Sequence, residues 1–185
     1  MKIIKLYLTI FILITSVVKA DSNDNLINEL RNGGKLIFIR HAYAPGGGDP
    51  VNFDINHCNT QRNLSVRGKE QAKNIGNFFI KNNIPIDKIY SSQWCRCKDT
   101  SLIAFNKFET KKFLNSFYSE KFVKNKDSQI IDLKNFIINW DGIQNLVFVT
   151  HYVVISQILN YSSSSGEIVV SNKDFKVIDT FKIEY

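Results

Sequence analysis

The stretches Lys35-Leu-Ile-Phe-Ile-Arg40-His41 and Asn145-Leu-Val-Phe-Val-Thr150-His151 decide how this chain folds. Each is a short run of β-branched and aromatic residues without polar alternation. That is the pattern of a strand buried on both faces, as in a parallel sheet covered by helices. Each runs directly into a histidine, in a chain with three histidines altogether. In open α/β sheets, ligands bind just beyond the carboxyl ends of the strands. Two such strands in one sheet would bring both imidazoles to one edge, where a site is expected.

Between and around these strands the sequence alternates helical and extended patterns. Leu26, Ile27 and Leu30 have helical spacing over 24–31, and Gly33-Gly34 stops that helix. Residues 42–62, with Pro45, Gly46-Gly47-Gly48, Asp49-Pro50 and several Asn, form a long loop of the kind that tends to be functional. A helix over 65–81 is capped by Ser65 and carries Ala72, Ile75, Phe78 and Phe79 as one stripe. A strand over 87–91 leads into a helix over 93–105. A strand is expected over 111–117, a charged loop over 120–126, and a helix over 127–139 with Ile130, Ile131, Leu133, Phe136 and Ile137 inward. A helix over 151–160 follows the second histidine strand, and two strands, over 166–171 and 175–184, close the chain as a hairpin. The alternation predicts a three-layer α/β/α domain around a mostly parallel sheet.

Residues 1–20 carry Lys2 and Lys5, an apolar stretch from Leu6 to Val18, and end in Val-Lys-Ala. This reads as a secretory signal peptide, because the apolar part is shorter than the roughly 20 residues that span a bilayer. Residues 21–185 then form a single domain, periplasmic or secreted. No later segment is long and apolar enough to cross a membrane. The leader holds three lysines and no acid, so its loss lowers the formal charge of +7 by three, to +4. No dense Lys/Arg run is present, which argues against a nucleic-acid partner. Of three cysteines, Cys58 is expected to bridge to Cys95 or Cys97, as an exported setting permits. No Cys or His set has metal-ligand spacing, and Cys95-Arg96-Cys97 lacks the spacing of thiol oxidoreductases, so neither a metal nor another cofactor is expected.

The polar residues at the strand ends, Arg40 and His41, Ser91, Ser92 and Arg96, and Thr150 and His151, make an anion-seeking pocket. No acid adjoins them in sequence. Arginine's planar fork matches phosphate bidentately, so a phosphoryl group is the expected guest. With no activated Ser or Cys in view, the nucleophile would be an imidazole. The glycine run is followed by no Lys-Ser/Thr and opens no helix, which argues against a nucleotide P-loop.

These residues resemble the histidine phosphatase, or phosphoglycerate mutase-like, superfamily. Its Arg-His-Gly strand end is matched by Arg40-His41-Ala42, with Ala42 the departure. Its Leu-Thr-x-x-Gly-x-x-Gln-Ala segment is matched by Leu64-Ser65-Val66-Arg67-Gly68-Lys69-Glu70-Gln71-Ala72. Its Ser followed by a helix-start Arg is matched by Ser91, Ser92 and Arg96, with Thr100 a turn later, and its late strand ending in His by Val147 to His151. The resemblance implies a phosphoglycerate mutase-like fold, His41 as nucleophile, and a phosphate pocket of Arg40, Arg96 and His151. With the leader and the short chain, it is similar to the exported branch that includes the lipopolysaccharide core heptose-phosphate phosphatase. A metal-independent phosphomonoesterase acting on a small phosphorylated substrate, such as a sugar phosphate or envelope glycan, is implied. Tyr152 stands where acid phosphatases of the family have Asp, so the general acid falls to the segment after the third strand. Glu120 and Asp127 both lie there, with Glu109 behind them. Ser92, Arg62 and His57 are candidates for further substrate contacts. The rival reading is a catalytically weak sugar-phosphate binding module of the same fold.

Overall fold

The computed structural model describes residues 20–184. The leader expected over 1–20 lies outside the described residues, except Ala20. Among the described residues, six strands form one sheet in the order β3-β2-β4-β1-β5-β6: β1 Leu36–Arg40, β2 Ile86–Ser91, β3 Glu109–Thr110, β4 Asn145–Thr150, β5 Ile168–Ser171 and β6 Val177–Phe181. The first four run parallel, and β5 pairs antiparallel with both β1 and β6. The helices are α1 Ala20–Arg31, α2 Val66–Lys81, α3 Cys95–Phe105, α4 Glu120–Val123, α5 Lys126–Ile138 and α6 Tyr152–Leu159.

Side-chain alternation along β1 and β4 divides the core in two. Ile37, Ile39, Val147 and Val149 face α1 to α3, packing with Leu30, Ile75, Phe79 and Trp94. Leu36, Phe38, Leu146 and Phe148 face α5 and α6, packing with Leu133, Ile137, Val154 and Ile155. Phe38 and Phe148, both fully buried, stack at 5.0 Å between ring centroids. Burial of each such ring contributes roughly 2–3 kcal/mol. The expected α/β/α layering and mostly parallel sheet are therefore present, and the apolar runs are strands because both faces are covered.

Register sets the functional edge. Arg40 pairs with Thr150, and the amide of the next residue, His41, donates to the Thr150 carbonyl at 2.9 Å. The two histidines thus leave the sheet level with each other on adjacent strands.

Three local readings need correction. The strand expected over 111–117 is instead the two-residue β3 followed by a 3-10 turn, Lys112–Leu114. Leu114 and Phe117 are the buried apolar positions, a spacing of three that suits a turn rather than a strand. The charged loop over 120–126 contains α4, a single helical turn at Glu120–Val123. On α5, Ile130, Leu133 and Ile137 form the buried stripe, and Ile131, one step round the helix, faces water.

Candidate active site

His41 is buried and lies at the base of a cavity of about 320 Å³. Its ring orientation follows from its own backbone. Nδ1 lies 2.9 Å from the Ala42 carbonyl, which can only accept, so Nδ1 carries the proton and Nε2 keeps its lone pair. Burial, then the charge of Arg96, push the His41 pKa well below the ordinary histidine value, so the ring rests neutral. This is the protonation state a nitrogen nucleophile needs.

The segments around it hold that ring in place. The Ala42 amide donates to Thr100 Oγ1, whose hydroxyl donates to the Arg96 carbonyl. Ala42 does not take a positive φ, so its departure from glycine brings no backbone strain. Ser65 caps α2 by accepting from the Gly68 amide. A Cβ on Gly68 would overlap the Tyr43 carbonyl, so only glycine fits there. Gln71 Oε1 accepts from the Tyr43 amide, while its Nε2 donates to the Ser165 and Ile183 carbonyls. The Ser65-Gly68-Gln71 pattern is thus a clamp on the backbone leaving His41.

Arg96, at the start of α3, joins the two histidines. Its Nε donates to His41 Nε2 at 3.1 Å, and its NH2 group lies 3.5 Å from His151 Nδ1. On the far side, His151 Nε2 meets Ser92 Oγ at 2.9 Å, and Ser92 reaches Asn115 Oδ1 at 3.2 Å. The consistent assignment has His151 donating from Nε2 to Ser92, which donates to Asn115, leaving Nδ1 turned toward Arg96. Burial, then Arg96, hold the His151 pKa well below its ordinary value as well. Arg40, whose NH1 donates to the Ser163 carbonyl at 2.7 Å, lies 5.3 Å from the Tyr152 ring and lines the same cavity.

Asp49, which the sequence reading passed over as loop punctuation, is the principal residue that reading missed. Its Oδ1 accepts from Arg96 NH1 at 2.7 Å and its Oδ2 from Arg96 NH2 at 3.2 Å. The Arg62 amide and Trp94 Nε1 also donate to this carboxylate. Burial alone would raise the Asp49 pKa, but the hydrogen bonds and charge of Arg96 outweigh it and keep the carboxyl ionised. The arginines are therefore not without an acid: one reaches Arg96 across 47 positions of sequence. The one signal was its position: of the two acids in the loop, Asp49 and Asp54, it is the one set directly between the glycine run and Pro50.

The other candidates separate clearly. Arg62 lines the cavity, with NH1 donating to the Ala44 and Gly46 carbonyls. Ser92 is buried and holds His151, so it is a support rather than a substrate contact. His57 is exposed, paired with Asp54 at 2.9 Å and absent from the cavity wall. Its strandless position in the long loop left nothing to aim it inward. Glu120 and Asp127 are exposed and neither lines the cavity, because α4 and the first turn of α5 turn them outward. Among the described residues Asp49 is the one carboxylate on its wall.

Cys58 bridges to Cys95, tying the long loop to the residue before Arg96. Cys97 is free and buried, and burial pushes its thiol up to about 12, which excludes a resting thiolate nucleophile. Among the described residues no group of three His, Cys, Asp or Glu side chains is placed to hold a metal ion.

No protein-family model and no curated protein matches the sequence. Solved structures do match the fold. The protein histidine phosphatase SixA complexed with tungstate aligns with a TM-score of 0.53 at 12% identity, over 79% of this chain and 95% of that one. TTHB049 from Thermus thermophilus aligns with a TM-score of 0.59 at 13% identity, over 81% and 99%. A phosphoglycerate mutase from the same organism gives 0.56 at 13% identity, over 81% and 99%. At these identities the likeness concerns architecture, and the chain has the fold that histidine phosphatases and phosphoglycerate mutases share.

Proposed function

We propose that this chain is a phosphomonoester hydrolase working through a phosphohistidine at His41. One observation carries the reading: a neutral His41 with its Nε2 lone pair turned toward a cavity lined by Arg40, Arg62, Arg96 and His151. In the forward step Nε2 gives up its contact with Arg96 and attacks phosphorus, the P–N bond forms, and the P–O bond breaks toward the leaving alkoxide. Water then attacks the phosphohistidine, releasing phosphate and restoring the lone pair. The three guanidinium groups face the equatorial oxygens, the positioning and charge stabilisation such transfers need. Arriving phosphate charge draws a proton onto His151 Nδ1, which then donates to it. Because side chains supply this charge, the reading calls for no metal.

The chain's substrate is a sugar phosphate or a phosphorylated envelope glycan, met after export. The leader read in the sequence and the Cys58–Cys95 bridge both favour an oxidising compartment, periplasmic or secreted. A weak sugar-phosphate binding module is the second reading, favoured because the one carboxylate on the cavity wall is committed to Arg96. The mature protein should release phosphate from p-nitrophenyl phosphate in the presence of a chelator, and His41→Ala should abolish this. Rapid quench at high pH should trap a phosphohistidine in the wild type. Turnover that survives His41→Ala would rule out the mechanism, and phosphate binding without any trapped intermediate would favour the binding module.

A further inference from the structure

The cavity is larger than a phosphoryl group needs, and its two ends differ in chemistry. The inner end holds the histidines and the three arginines. The outer end is walled by Tyr118, Lys121 and Phe122 from the segment around α4, by Tyr152 from α6, and by Phe53 from the long loop. Tyr118 and Tyr152 meet edge to face at 5.8 Å, and Phe53 and Phe122 at 5.6 Å. Aromatic walls of this kind offer broad apolar area with a polar tip on each Tyr, which suits the C–H face of a sugar ring.

Charge narrows the class further. Four cations, Arg40, Arg62, Arg96 and Lys121, line the cavity against one carboxylate, Asp49. With both histidines neutral, the wall carries three positive charges in excess, and a phosphomonoester dianion offsets two. The Nε groups of Arg40 and Arg62 are buried without a hydrogen-bond partner, so both guanidinium groups of the inner end keep donors that the protein leaves unspent. The surplus charge lies outward at Lys121, whose charge reaches the Asp54 carboxylate without forming a salt bridge among the described residues, Asp54 being bonded instead to the Asn56 amide and His57, and whose Nζ lies 5.5 Å from the Phe122 ring.

We infer that Lys121, with Tyr118 and Tyr152, forms a leaving-group subsite selecting phosphorylated sugars that carry a second acidic group. This rests on the phosphatase reading for its chemistry, though the subsite can also be tested by binding alone. The matched probes are glucose 1-phosphate and glucuronic acid 1-phosphate, which share the ring and differ by one carboxylate. Lys121 is exposed, so water weakens the pair and the expected preference for the glucuronic acid compound is about five-fold in kcat/KM. Lys121→Gln should bring the ratio close to one, Lys121→Arg should retain it, and rising salt should reduce it in the wild type. Reading a ratio cancels any general loss of activity or folded protein. If neither sugar phosphate nor p-nitrophenyl phosphate is hydrolysed, the hydrolase reading fails, and calorimetric affinities for the same two sugars decide the subsite. Equal values for the two sugars, or a preference that survives Lys121→Gln, would overturn the inference.

Discussion

Replacing Asp49 with Asn separates what this residue does for the fold from what it does for the reaction. The ion pair it makes with Arg96 is well enclosed, with the two side chains 16% and 3% exposed. Asn keeps the size but loses the charge, and its amide nitrogen would face Arg96 or Trp94 donor to donor. Breaking a buried pair costs roughly 3–5 kcal/mol, and the partial exposure of Asp49 argues for the lower end, about 3 kcal/mol. For a domain of this size that corresponds to a loss of about 6–12 °C in Tm.

A purely structural tether would show this loss and nothing else. Asp49 also places a negative charge beside a phosphate pocket and fixes the outer edge of the Arg96 fork, leaving the inner edge to both histidines. Removing the charge should tighten inorganic phosphate binding by at least about tenfold, since a unit charge at an effective dielectric constant near 20 contributes about 1.4 kcal/mol even from about 12 Å away. The same change frees the fork to rotate, so kcat should fall while phosphate inhibits more strongly. Saturating phosphate should narrow the Tm gap between wild type and variant, because bound anion returns a partner to Arg96. Thermal melts with and without phosphate, together with kcat and the phosphate inhibition constant, test this. A Tm loss with unchanged kcat and unchanged phosphate affinity would refute the positioning role.

Other outcomes follow from the same geometry. His41 and His151 are held neutral when folded but take up protons near pH 6.5 when unfolded, so the unfolded chain binds more protons below that value. Stability should therefore fall as pH drops from about 6.5, by up to about 1.4 kcal/mol per unit for each histidine; a Tm flat between pH 7.5 and 5 would contradict their burial as neutral rings. Asp49 acts in the same direction at lower pH, its contribution present above the ordinary carboxylate range and lost as pH falls below it. Replacing Cys58 and Cys95 by Ser together opens a cross-link spanning 37 residues, which should cost roughly 4 kcal/mol of stability on the chain-entropy view and depress activity by loosening the loop that carries Asp49. Unchanged melting would show that the loop is held by other contacts alone. With no uncommitted carboxylic acid on the cavity wall among the described residues, kcat/KM for a series of aryl phosphates should rise steeply as the leaving phenol becomes more acidic, whereas a flat dependence would show that a proton donor, charged His151 or a group off this wall, serves the leaving group.

The parts of this molecule legible in the sequence are those written in local patterns. Ile37, Ile39, Leu36 and Phe38 declare a strand buried on both faces, and Ser65 declares a cap that the structure shows bonded to Gly68. The level exit of His41 and His151 needed only that their strands be neighbours, which they are. What the sequence hid depends on contacts between distant positions. Asp49 meets Arg96 only because the loop folds back over α3 and is fixed there by the Cys58–Cys95 bridge. Ser92 shows the opposite error, a strand-end hydroxyl that turns inward to hold His151. Glu120 carried the right chemistry in the right segment, yet a single turn of helix decides which way each of its residues faces, and Lys121 rather than Glu120 meets the cavity.

The two histidines leave matching strands but are used in opposite orientations, and one guanidinium explains why both orientations are needed. His41 binds its own backbone through Nδ1 and offers Nε2, whereas His151 is tied to Ser92 through Nε2 and offers Nδ1. Both offered nitrogens meet the same inner edge of Arg96, so a phosphoryl group entering between them replaces two contacts to that edge at once. The outer edge must then be held by something that does not move with the substrate, and Asp49 is anchored by the Arg62 amide and Trp94 as well as by Arg96. An acid committed in this way is poorly suited to give up a proton. For the proposed hydrolase, the carboxylate nearest the chemistry therefore orients the charge clamp, and protonation of the leaving group falls to water or to His151 once it is charged, unless the leaving group is acidic enough to need none.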